Sequence, residues 1–108
     1  MISQMHNRTP FEVQKGCRFL MFDFGNEVRA MQYMAVRRII WKETKSSEQE
    51  SLEFQFDDCL MRVQGAGLKR LLPLLQNDEV FIIRSGSVNG ERSIQITEID
   101  FEELEPVA

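Results

Sequence analysis

Residues 52–56 alternate strictly, with Leu52, Phe54 and Phe56 on one side and Glu53 and Gln55 on the other. A period of two marks a strand with one face on a core and the other in water. Asp57-Asp58 is turn chemistry, and a return strand follows from Cys59 to Gln64 with Cys59, Met61 and Val63 on one face. Upstream, residues 18–24 (Arg-Phe-Leu-Met-Phe-Asp-Phe) carry apolar groups on both faces and end at Gly25-Asn26. Gly at the first central position suits a two-residue hairpin turn, because it accepts positive φ. Strands are therefore predicted from Glu27 to about Met34 and from Val36 to Lys42. Phe11-Glu12-Val13 reads as a short strand after a loose arm, residues 1–10.

The period changes after Gly65-Ala66-Gly67, a glycine cluster expected to break the preceding strand. Leu68, Leu71, Leu72 and Leu75 recur at i, i+3, i+4 and i+7, which is one face of a helix. Pro73 removes a helical hydrogen bond, so a short helix over about 66–77, irregular near its middle, is predicted. Val80-Phe81-Ile82-Ile83 is continuously apolar, as in a strand covered on both faces. Asn89-Gly90 signals a hairpin. The last strand, Arg92 to Ile99, slips phase between Ile96 and Ile99, which implies a bulge or the strand's end. Residues 100–108 read as an acidic tail that frays. Glu43 to Glu50 has no hydrophobic residue and reads as a loop.

These elements make a mainly β (α+β) single domain over residues 1–108. Six or seven strands form an antiparallel meander curled into a small barrel or sandwich, with one short helix packed against it. A barrel of pleckstrin-homology shape is one architecture of this size. The 108 residues, 43% of them hydrophobic, suffice for one core without metals or disulfides. Residues 1–16 contain no apolar run of signal-peptide length, and no stretch approaches a membrane span. A cytoplasmic location with free Cys17 and Cys59 is the expectation, with no membrane association.

Net charge is −4, yet residues 1–45 carry +4 and residues 46–108 carry −8. Either the halves interleave in space and neutralise each other, or a basic face docks something. His6 lies in the loose arm, where nothing would hold a general base. Cys59 sits beside Asp57 and Asp58, which raise a thiol's pKa; Cys17, near Lys15 and Arg18, has the better setting for a thiolate. Two adjacent carboxylates in a turn point apart, so Asp57-Asp58 is a poor metal site. Gly65-x-Gly67 meets Arg70 where a dinucleotide loop needs its third glycine. No catalytic residue, cofactor site or metal site is therefore assigned.

Arg29, Arg37, Arg38 and Trp41 form the polar cluster most suited to contacting a nucleic acid or a protein partner. On a strand, Arg37, Ile39 and Trp41 share one face, and Arg38 and Ile40 share the other. The expected function is a small non-enzymatic interaction or structural module with an unidentified protein partner. The alternatives are RNA or single-stranded DNA binding through an Arg/Trp sheet face, disfavoured by the acidic total, and an enzyme whose site is gathered from distant residues. Unclosed sheet edges further predict self-association, as a symmetric dimer.

Overall fold

A computed structural model describes residues 9–43, 49–86 and 94–105. The strands are β1 (Phe11–Val13), β2 (Phe19–Asp23), β3 (Val28–Gln32), β4 (Arg38–Glu43), β5 (Glu50–Gln55), β6 (Cys59–Ala66), β7 (Val80–Arg84) and β8 (Gln95–Glu103). A 3₁₀ turn, Leu68–Leu71, runs into the short helix α1 (Leu72–Gln76). The strands form two four-stranded sheets, ordered β1-β7-β2-β3 and β4-β5-β6-β8.

The sheets pack face to face. Leu20 and Phe22 from β2 meet Leu52 and Phe54 from β5 and Met61 and Val63 from β6 in one buried cluster. Phe22 and Phe54, both fully buried, stack edge to face with centroids 5.1 Å apart at 78°. That geometry sets the positive rim of one ring against the negative face of the other. Neither sheet closes on itself among the described residues, so the architecture is a sandwich.

The meander describes the second sheet's antiparallel β4-β5-β6 but not the first sheet. There β7 inserts between β1 and β2 and runs parallel to β2, through Met21↔Ile82, Phe22↔Ile83 and Asp23↔Arg84. Being central, β7 is covered on both faces, as its apolar run predicts; Val80 and Ile83 are fully buried. Tyr33 ties the corner after β3 to this strand. Its buried hydroxyl donates to the Val80 carbonyl (2.6 Å) and accepts from the Val80 N–H (3.1 Å). Burial raises the phenol's pKa well above its ordinary value, so it stays protonated and able to donate.

Several boundaries differ from the sequence reading. The strand predicted from Glu27 to about Met34 is β3 and ends at Gln32, and Tyr33–Ala35 forms a 3₁₀ turn. Gly65 does not break β6, which continues to Ala66. Residues 100–103 are no frayed tail: Asp100 to Glu103 pair with Arg62 to Cys59 and extend β8. Pro10 is no loose arm residue either. It is fully buried, and its carbonyl accepts from the Arg84 N–H at 2.8 Å. The Asn89-Gly90 hairpin and most of the 43–50 loop lie outside the described residues. The Gly25 turn is present, with φ +101° and a Phe24 N–H to Glu27 carbonyl bond of 2.8 Å.

The phase slip in the last strand is a bulge. Gln64 pairs with Glu98 while Gly65 pairs with Ile96, leaving Thr97 as the extra residue. Thr97 Oγ1 donates to the Gln64 carbonyl at 3.1 Å. A Cβ at Gly65 would overlap the backbone carbonyl of Gln95. Gly65→Ala is accordingly expected to cost roughly 2 kcal/mol by forcing β6 and β8 apart at the bulge. Chemical denaturation checks it; an unchanged midpoint would show that the two strands are not this close.

Candidate interaction site

The register places every second residue of β4, β5, β6 and β8 on the outer face of the second sheet. Three rows cross it: Arg38–Gln55–Leu60–Glu102, Ile40–Glu53–Arg62–Asp100 and Lys42–Ser51–Gln64–Glu98. Arg37, Ile39 and Trp41 fall on the opposite side, as alternation predicts, with Ile39 opposite Phe54 and Trp41 opposite Leu52. The two outermost columns differ in sign. β4 presents Arg38 and Lys42, whereas β8 presents Glu98, Asp100 and Glu102.

The charge imbalance of the two chain halves is thus partly neutralised and partly displayed. Arg37 holds Asp57 bidentately, with both bonds at 2.8 Å, and keeps that carboxyl below its ordinary range. The same pairing engages both carboxylate oxygens of Asp57, in keeping with its reading as a poor metal site. Lys42 (3.2 Å) and Arg62 (3.3 Å) both reach Glu53. Burial disfavours the Glu53 carboxylate, but these two cations outweigh that and lower its pKa. Arg84 bridges back to Glu12 at 2.6 Å. Arg38 is exposed and, like Glu98 and Glu102, makes no ion pair among the described residues.

The four residues singled out from the sequence are not gathered at one spot. Arg29 stands on β3 in the other sheet, bound to Glu27 at 2.6 Å, with its guanidinium 3.9 Å from the Phe101 ring centroid. It thereby links β3 to β8 across the seam between the sheets. Trp41 donates its indole N–H to Glu50 at 2.9 Å, and Lys69 Nζ lies 4.9 Å over its ring. Among the described residues, Arg38 is the member of this group with no ion pair.

Glu50 and Lys69 were missed from sequence. The Glu50 carboxylate accepts from the backbone N–H groups of Gly67 (2.9 Å), Leu68 (2.8 Å) and Lys69 (3.3 Å), besides Trp41. Gly67 has φ +72°, which turns these N–H groups toward one point at the start of the 3₁₀ turn. No local signal could have revealed a cap supplied from seventeen residues away.

A shallow groove of about 430 Å³ runs beside β4, lined by Val36, Arg37, Arg38, Ile39, Leu72 and Gln76. A second, of about 400 Å³, lies on the first sheet and gathers Cys17 with Arg18, Phe19, Tyr33, Met34 and Asp78. It does not hold an activated thiol. Cys17 Sγ donates to the Gln14 carbonyl at 2.9 Å, and burial, Asp78 and Glu79 push its pKa up. Burial first, and then the two carboxylates, thus correct the sequence expectation of a thiolate-favouring setting beside Lys15 and Arg18. Cys59, buried in β6, is likewise raised by burial and Asp58. Among the described residues no group of three His, Cys, Asp or Glu could hold a metal, and no helix is long and apolar enough to cross a membrane. Comparisons with protein-family models, curated proteins and solved structures found no match to this chain.

Proposed function

We propose that this protein is a non-enzymatic interaction module that takes up an extended acidic peptide segment of a partner along β4. One observation carries the reading. Among the described residues β4 is an edge strand of six residues, paired to β5 on one side only, with partly exposed Ile39, Ile40 and Trp41 and basic Arg38 and Lys42. A strand edge offers a row of backbone donors and acceptors, and alternate side chains select what pairs with it. Here the outer-face positions would favour carboxylates, while the groove bordered by Ile39 and Leu72 would favour an apolar side chain.

A peptide suits this edge better than a nucleic acid. Base stacking needs a free aromatic face, and phosphate binding needs free cations. The Trp41 ring lies under Lys69, Arg37 is held by Asp57, and Arg29 is on the other sheet against Phe101. The module would act in the cytoplasm, where Cys17 and Cys59 remain reduced.

Titration with a synthetic peptide of alternating Glu and Val tests the reading. The backbone amide resonances of residues 38–43 are expected to shift saturably, along with emission from the single tryptophan. Arg38→Glu should weaken binding about tenfold. Unmoved β4 resonances at millimolar peptide would overturn the proposal. So would a mixed single-stranded oligonucleotide shifting these resonances when the peptide does not.

A further inference from the structure

We infer that the chain carries its own partner for this edge: β8 of a second copy pairs antiparallel with β4, joining copies head to tail into a continuous sheet. The inference rests on β4 as a docking edge and names what docks. β4 and β8 are the two ends of the second sheet, each paired on one side only among the described residues. They also run in opposite directions, since three antiparallel steps separate them. A second copy laid beside the first therefore presents β8 to β4 in antiparallel sense, with inner faces on the same side.

The rows already crossing the sheet supply the register. Continued without a slip, Arg38 faces Glu102, Lys42 faces Glu98 and Ile40 faces Asp100 on the outer side. On the inner side the same register sets Ile39 against Phe101 and Trp41 against Ile99. Two of the three outer pairs, Arg38 with Glu102 and Lys42 with Glu98, join opposite charges, and both inner pairs are apolar. A one-residue slip would turn every pair to the wrong face.

Like-with-like pairing is opposed by the same residues. Two β4 strands in antiparallel contact about Ile40 would set Arg38 against Lys42 twice. Two β8 strands about Asp100 would set Glu98 against Glu102 twice. Like charges directly opposite on paired strands repel. The edges thus disfavour the two-fold dimer expected from the sequence and favour a heterologous contact, which closes into a ring or continues as a filament.

A charge swap tests this on the whole chain. Arg38 and Glu102 share a row, and neither makes an ion pair among the described residues, so Arg38→Glu and Glu102→Lys should each fold; circular dichroism verifies it. Light scattering behind a sizing column is expected to show wild-type mass rising with concentration beyond that of a dimer. Each variant alone should associate about tenfold more weakly. Mixed in equal amounts, they should recover association, because the acidic β4 of one meets the basic β8 of the other and the converse. A wild-type mass that stays at 12.6 kDa into the millimolar range overturns the inference. So does association that neither variant weakens or that mixing fails to restore. If the alternating peptide binds β4 while the wild type stays monomeric, self-pairing fails and the docking edge stands. If neither occurs, both fail.

Discussion

Phe54→Ala is expected to destabilise the protein by about 4 kcal/mol, the largest single effect among the predictions. Phe54 is fully buried on β5 and meets the Phe22 ring of β2 edge to face at 5.1 Å, so this pair joins the two sheets at their centre. Truncation removes the transfer free energy of the ring and leaves a cavity between two hydrogen-bonded sheets, which resist collapse into it. Against a typical total of about 5–15 kcal/mol, that is a large share. Melting should fall by about 15 °C or more. Phe54→Leu keeps most of the apolar volume and should cost about 1–2 kcal/mol. A double-mutant cycle with Phe22→Leu should return about 1 kcal/mol of coupling. An alanine variant melting within a few degrees of wild type would mean that the sheets are not packed through this pair.

Glu50→Ala is expected to cost about 2–3 kcal/mol at neutral pH, although Glu50 contributes no apolar surface to the core. Its carboxylate is the common acceptor for three backbone N–H groups at residues 67–69 and for the Trp41 indole, and so holds the Leu68–Leu71 turn onto β5 and β4. Glu50→Gln should rescue in part, because its amide oxygen can still accept from Trp41, Leu68 and Lys69 while its NH2 faces the Gly67 N–H. Burial disfavours the charged form, but the four N–H bonds outweigh it and hold the carboxyl below its ordinary range. With the folded value depressed, this stabilisation is complete above the unfolded pKa of about 4.3 and is lost as pH falls through the folded value. Glu53 follows the same sign through Lys42 and Arg62, so wild-type stability also drops in acid for that reason. The difference between wild type and Glu50→Ala should therefore narrow on acidification, while a Glu53-dependent loss remains in both. Urea denaturation from neutral pH to about pH 3 measures it. A gap that stays constant or widens in acid would show that Glu50 acts by packing and not as an acceptor.

Local chemistry by itself determined which segments are strands and which way their side chains face. The alternation of Leu52, Phe54 and Phe56 became β5 with its apolar side inward, and the phase slip between Ile96 and Ile99 became the Thr97 bulge. Leu68 to Leu75, interrupted by Pro73, became a 3₁₀ turn followed by barely more than one turn of α-helix. These features are legible because the period of a strand or helix face is written within a few residues. The alternation on β4 was legible too: Arg37, Ile39 and Trp41 do lie opposite Arg38 and Ile40.

Only the tertiary structure decided which strands are neighbours. Side chains alternate identically in parallel and antiparallel pairs, so nothing in Val80–Ile83 distinguishes a hairpin partner from the parallel neighbour that β2 proved to be. The stretch Asp100 to Glu103 looked like an acidic tail because Phe101 is its single apolar residue. Pairing with β6 supplies the backbone bonds that make it a strand. The candidate cluster failed to assemble for the same reason. Arg29, Arg37 and Trp41 found Phe101, Asp57 and Glu50, partners set by register and sheet packing and not by spacing along the chain. What remained was Arg38 on a strand with one partner among the described residues, and a sheet whose two ends carry opposite charge. That pattern exists only after β4, β5, β6 and β8 are laid side by side, because opposite ends of a sheet are defined by strand order.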